Sequence, residues 1–199
     1  MEVFPFLPFV PDRKAVLRRL GSQKAQFSQS LETDFDRYMR QAGSAFAARG
    51  KAAVFPLRHV DASCINIDGA KIASSMLAKL LGKSRSVYLM GASIPERDVE
   101  KIRQAMRQGD GLKAIVLDAY ASEYVDGTLD VIMSRKSESL RRIGQKLTRH
   151  RFSPGYGDLD LCYQRAFFDL LAMDTLDVTI NENYLLSPEK SVIAIAGVE

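Results

Sequence analysis

One stretch of eight residues, Arg-Phe-Ser-Pro-Gly-Tyr-Gly-Asp at 151–158, holds the residue types from which a ligand cradle is built. Pro154 fixes its own φ and keeps Ser153 in extended geometry. Gly155 and Gly157 admit positive φ and let a ligand come close to the backbone. Tyr156 offers a flat ring and a hydroxyl. Arg151 offers a planar fork that matches a carboxylate. Exposed backbone amides, an aromatic face and an arginine together suit a zwitterionic amino acid joined to a purine. The same residues also make a plain tight turn closed by Pro-Gly, with Arg151 on the surface. Spacing alone leaves both readings open.

Little else in the chain points to chemistry. There is no Gly-x-x-x-x-Gly-Lys-Ser/Thr loop, no Gly-x-Gly-x-x-Gly and no His-Glu-x-x-His. Cys64 and Cys162 lie far apart, as do His59 and His150, so a metal site is not expected and the thiols read as reduced. That usage points to a cytoplasmic protein. The 199 residues are 46% apolar and 26% charged, which is ordinary for a globular domain. No run approaches a membrane span, and three prolines in MEVFPFLPFVP argue against a signal peptide. The net charge of +4 is uneven, because residues 1–58 carry ten Lys and Arg against five Asp and Glu. This suggests attraction to an acidic partner. It is not a nucleic-acid signature, because no dense basic block with interleaved aromatics occurs.

The elements that must position the loop follow from periodicity. Residues 1–11 read as an extended arm and 12–21 as a short helix. A looser helix covers 30–48, through Leu31, Phe35, Met39 and Phe46. Strands are expected at 52–58 and 62–67. Asp68 is expected to cap a helix through Ile72, Met76, Leu77 and Leu80. A buried strand follows at 86–90. Ser93 to Glu96 has the form of a capping box for a helix through Val99, Ile102 and Met106. The longest helical pattern spans 112–148, with Gly127 as a break or kink. Arg135, Arg142, Lys146 and Arg149 share one of its faces, either solvated or a dock for an acidic partner. The 151–158 loop comes next, then a helix at 161–172 and strands at 176–180 and 190–197. Without a regular β-α-β rhythm, the class is α+β: a single domain with a mixed or antiparallel sheet, flanking helices and a helical N-terminal segment.

The 151–158 loop, a helix, and then NENYLLSPEKSVIAIAG at 181–197 resemble the activation (reactivation) domain of cobalamin-dependent methionine synthase, and its stand-alone relatives in particular. The matching positions are Arg151, Ser153, Pro154, Gly155, Tyr156, Gly157 and Asp158, then Pro188, Lys190, Ser191 and Val192. Weaker likeness reaches back to about Ala52, through VYLMGASIPERDVEKI at 87–102 and ASEYVD at 121–126. The expected division is an N-terminal arm and helical segment over 1–50 and an activation-like domain over 51–199.

The resemblance implies binding of S-adenosylmethionine and support for reductive methylation of cob(II)alamin on a separate methionine synthase. The electron would come from flavodoxin or another donor. It implies that Arg151 holds the methionine carboxylate and that Ser153, Pro154, Gly155 and Tyr156 meet the adenosine part. It places Glu123 near the amino group. No Asp-x-His-x-x-Gly cobalt-ligand motif is present, so cobalamin would arrive on the partner. No catalytic acid or base is needed, because a sulfonium already activates the methyl group and the protein's task is alignment. The alternative is a non-catalytic binding module or regulator that docks on a corrinoid protein.

Overall fold

The computed structural model describes residues 1–21 and 27–199. Its centre is an antiparallel sheet with strand order β4-β3-β2-β5-β8. The strands are β1 (Glu2–Leu7), β2 (Ala48–His59), β3 (Cys64–Ile67), β4 (Ala70–Ala73), β5 (Ser86–Ser93) and β8 (Ser191–Val198). β1 pairs with the first part of β2, so the extended arm is a strand of the main sheet. Two short strands, β6 (Thr179–Ile180) and β7 (Leu186–Ser187), form a separate hairpin.

β5 and β8 are buried on both faces, and their side chains alternate between two cores. Val87, Leu89, Ile193 and Ile195 face one core, which also holds α3 (Ser75–Leu80) and α6 (Tyr163–Leu171). Tyr88, Met90, Ala92, Ala194 and Ala196 face the other. That second core holds α1 (Arg13–Arg19), α2 (Gln29–Ala45), α4 (Glu96–Arg107) and α5 (Gly111–Arg141). The alanines on this face give the long α5 room to lie close to the sheet. The result is helices on both sides of an antiparallel sheet, an α+β single domain as the composition of elements predicts.

The described part of residues 1–50 shares this core. Leu7, Val16, Leu17, Phe35, Tyr38, Ala42 and Phe46 are all buried in it. Phe9 packs edge-on to Tyr124, with ring centroids 6.3 Å apart. A methyl group at Gly127 would overlap the Phe9 ring. Gly127 therefore marks where the arm crosses α5, and the helix runs through it without a break.

Four local expectations are corrected. Asp68 does not cap a helix. With Gly69 it makes the two-residue turn between β3 and β4, with φ of 47° and 94°. Asp-Gly is the favoured pair for such a turn. The helix begins only at Ser75, capped by Ser74. Ser93 does not form a capping box either, because it stays in β5, opposite Ser191, and Pro95 takes the N-cap. The helix predicted over 112–148 ends at Arg141, where the chain turns through Gly144. Arg142, Lys146 and Arg149 thus lie beyond the helix and share no helical face with Arg135. The strand expected at 176–180 shrinks to Thr179–Ile180, because Met173–Leu176 winds into a 3₁₀ turn.

Candidate functional site

The chain leaving α5 runs back along the outer edge of β8. Lys146 and Glu199 exchange backbone hydrogen bonds, both 2.8 Å. Phe152 and Ile195 do the same, again at 2.8 Å. Strand-like alternation then sends neighbouring side chains to opposite sides. Phe152 packs against the α3 and α6 core. Arg151 reaches the other way, to α5. There its Nη2 donates to the Asp126 main-chain carbonyl at 3.2 Å, and its Nη1 forms an ion pair with Asp130.

After Phe152 the loop folds on itself. Gly155 donates to the Leu159 carbonyl at 2.8 Å, and Leu159 donates to Tyr156 at 3.0 Å. Gly155 and Gly157 have φ of 88° and 55°, the positive values that two glycines in this stretch permit. Asp158 anchors the far end. Its carboxylate accepts from the Ser74 hydroxyl and from the backbone amides of Ser75, at 2.8 Å, and Met76. These bonds hold the Asp158 carboxyl below its ordinary value, the Ser74 hydroxyl contributing most.

The loop, α5 and β8 enclose a groove. One part, about 400 Å³, is lined by Asp126, Arg151, Phe152, Ser153, Tyr156 and Val192. A second, about 330 Å³, shares Ser153, Tyr156 and Val192 and adds Pro154, Gln164 and Leu185 among others. Both volumes fall in or near the range of small-molecule sites, roughly 300–1,000 Å³. Tyr156 is 69% exposed at the junction, with its ring free to meet a flat ligand. Arg151, Ser153, Pro154 and Tyr156 therefore come together along one groove. Gly155 shapes the loop behind them.

Glu123 lies one turn before Asp126 on α5, and it is engaged. Arg19, the last residue of α1, donates from Nε to Glu123 at 2.7 Å and from Nη2 to the Asp126 carboxylate at 2.8 Å. Burial works against the Arg19 charge, but the bonds and charges of Glu123 and Asp126 outweigh it and raise its pKa.

The second motif acts through α5. Lys190 donates to the Ser122 hydroxyl at 2.9 Å and pairs with Asp118 at 2.7 Å. Ser191 accepts or donates a 2.8 Å bond with Ser93, and Val192 lines the groove. Sequence reasoning named Lys190 only as a motif position and missed Asp126, Asp130 and Arg19 as partners around the loop. A signal was present: Asp118, Ser122, Asp126 and Asp130 recur every four residues, the spacing of one helical stripe.

Among the described residues, no group of three or more His, Cys, Asp or Glu is arranged to hold a metal ion. Cys64 and Cys162 are both free thiols. No helix among the described residues is long and apolar enough to cross a membrane.

No protein-family model matches the chain, and no curated protein matches it. Among solved structures, the crystal structure of the MetH reactivation domain bound to AdoHcy is similar, with a TM-score of 0.65 at 15% sequence identity. The likeness covers 85% of this chain, which spans 64% of that one. At that identity the fold is what the two share: helices packed on both faces of an antiparallel sheet, the same architecture as a methionine synthase domain solved with AdoHcy.

Proposed function

We propose that this chain binds S-adenosylmethionine in the groove between the 151–158 loop and α5. It would act as a separate subunit supporting reductive methylation of cob(II)alamin on a cobalamin-dependent methionine synthase. The observation that carries the proposal is the convergence of Arg151, Ser153 and Tyr156 on one groove, in a fold shared with a domain solved with AdoHcy. Residues 51–199 would form the ligand-holding part and 1–50 an arm packed onto it.

The residues suit the ligand. Arg151 presents a guanidinium to a carboxylate. Glu123 and Asp126 present carboxylates to an ammonium. Tyr156 and the Ser153–Gly155 corner present a ring face and backbone to adenosine. Three carboxylates, Glu123, Asp126 and Asp130, meet two guanidiniums, Arg19 and Arg151. Carboxylates beside the groove favour a ligand of net positive charge, which S-adenosylmethionine is and its demethylated product is not. When bound, S-adenosylmethionine supplies an electrophilic methyl group. The chain's own part is to hold the ligand and orient it. The corrinoid and an electron donor such as flavodoxin would be supplied by other proteins.

A second reading is a non-catalytic module that docks on a corrinoid protein. It is favoured by one observation: Arg151 and Glu123 are both already paired within the chain. Calorimetry separates the two. Heat and thermal stabilisation by millimolar S-adenosylmethionine support the first, and their absence supports the second. In the first case Arg151→Ala weakens binding at least about tenfold. Unchanged affinity removes Arg151 from the site.

A further inference from the structure

We infer that Arg19 is an internal competitor for the ligand's ammonium group, and that it thereby sets how strongly the site prefers the sulfonium form over the thioether. The inference rests on the S-adenosylmethionine reading above and names a residue outside the motifs that led to it.

Arg19 comes from the opposite end of the chain, 104 residues before Glu123. It takes the carboxylate of Asp126, which lines the groove, and that of Glu123, one turn earlier on α5 and outside the groove lining, through bonds of 2.8 and 2.7 Å. Asp126 is shared most closely. Its carboxylate binds Arg19, its main-chain carbonyl binds Arg151, and it lines the groove. A ligand that brings a carboxylate to Arg151 and an ammonium to Glu123 and Asp126 therefore meets an occupied position.

The helix that carries Arg19 is fixed. Val16 and Leu17 are buried in the core, and Arg13 bonds Asp36 at 3.0 Å and pairs with Glu32. The side chain of Arg19 is not fixed in the same way. It is 38% exposed, and its two partners are reached across solvent-facing surface. Exposed ion pairs of this kind are weak enough to be exchanged for a ligand. The exchange needs rotation of one side chain and leaves the packing of α1 intact.

Charge decides the specificity. At neutral pH S-adenosylmethionine carries a carboxylate, an ammonium and a sulfonium, so it is a net cation. S-adenosylhomocysteine has lost the sulfonium charge and is neutral. Removing Arg19 makes this end of α5 more negative by one charge, and the cation gains more than the neutral ligand.

The test is calorimetry of the full chain with each ligand at low salt, comparing wild type with Arg19→Ala, Arg19→Gln and Arg19→Lys. Arg19→Ala and Arg19→Gln are expected to bind S-adenosylmethionine about three- to tenfold more tightly, and S-adenosylhomocysteine, which carries the same ammonium, more tightly by a smaller factor. Arg19→Lys, which keeps the charge, stays close to wild type. Equal tightening of both ligands overturns the role of Arg19 in specificity, and no change or weaker binding of both overturns its competition, each while leaving the S-adenosylmethionine site standing. No heat from either ligand with any of the four proteins sinks that site, and the inference with it.

Discussion

The Arg151 guanidinium is held at two points on α5, by the Asp130 carboxylate through Nη1 and by the Asp126 main-chain carbonyl through Nη2 at 3.2 Å. The first hold competes with a ligand carboxylate and the second does not. Asp130→Ala should therefore free one face of the fork while the Asp126 carbonyl still orients it. Asp130 has a side chain 64% exposed, so its loss costs the fold little. S-adenosylhomocysteine is expected to bind about threefold more tightly to the variant. S-adenosylmethionine gains less, because the same substitution removes a negative charge that attracts it. Titration calorimetry reads both. Weaker binding of both ligands would mean that Asp130 positions Arg151 rather than competing for it.

Tyr156 stands at the junction of the two halves of the groove with most of its surface exposed. It contributes little packing, so Tyr156→Ala should change unfolding free energy by less than about 0.5 kcal/mol. A ring that stacks on a purine is worth roughly 1–3 kcal/mol. The variant is thus expected to lose about fivefold or more in S-adenosylmethionine affinity while its urea midpoint barely moves. An equal affinity would take the ring out of the adenosine contact.

The sequence carried the loop better than its setting. Arg151, Ser153, Pro154 and Tyr156 are adjacent in the chain, so their meeting in one groove needed only local geometry, which Pro154, Gly155 and Gly157 dictate. Arg19 and Glu123 are distant in the chain, and no local preference reveals that they meet. The same limit explains the helix misplaced at Asp68. A capping aspartate and an Asp-Gly hairpin turn look alike until the pairing of Ile67 with Ala70 is known. It also explains the overlong helix to 148. Leu147 continues the apolar spacing of α5, yet it leaves the helix to bridge Val198 on the sheet edge. The strands β5 and β8 were the opposite case, because runs of apolar residues buried on both faces declare themselves.

Asp158 ties the loop to the start of α3, and its carboxyl is held below the ordinary value of 3.8 by the Ser74 hydroxyl and the Ser75 and Met76 amides. The folded chain keeps this charge to lower pH than the unfolded chain does. The stabilisation is therefore complete above the ordinary value and disappears as pH falls through the lower folded one. Asp158→Asn should lower the thermal midpoint at neutral pH, and the gap from wild type should narrow as pH falls below the ordinary carboxyl value. Calorimetric melts across that range check it. A gap that persists in acid would show that the carboxylate's charge is not what holds the loop.

Gly127 lies inside α5, where alanine is ordinarily favoured over glycine by roughly 0.5–1 kcal/mol. Here the Phe9 ring occupies the space a methyl group would need. Overfilling such a contact costs about 1–3 kcal/mol. Gly127→Ala is therefore expected to destabilise the chain by up to about 2.5 kcal/mol, as the difference of those two effects. Removing the obstacle should reverse the sign. In a Phe9→Ala background the same substitution should stabilise by about 0.5–1 kcal/mol. Urea unfolding of the four proteins of this cycle measures the coupling. The contact matters beyond stability, since residues 7–19 reach Glu123 by crossing α5 at this point, with Tyr124 donating to the Leu7 carbonyl at 3.0 Å beside it. If Gly127→Ala shifts stability alike in both backgrounds, Phe9 is not what reads the glycine, and the register that brings Arg19 to Glu123 must be set elsewhere on α1.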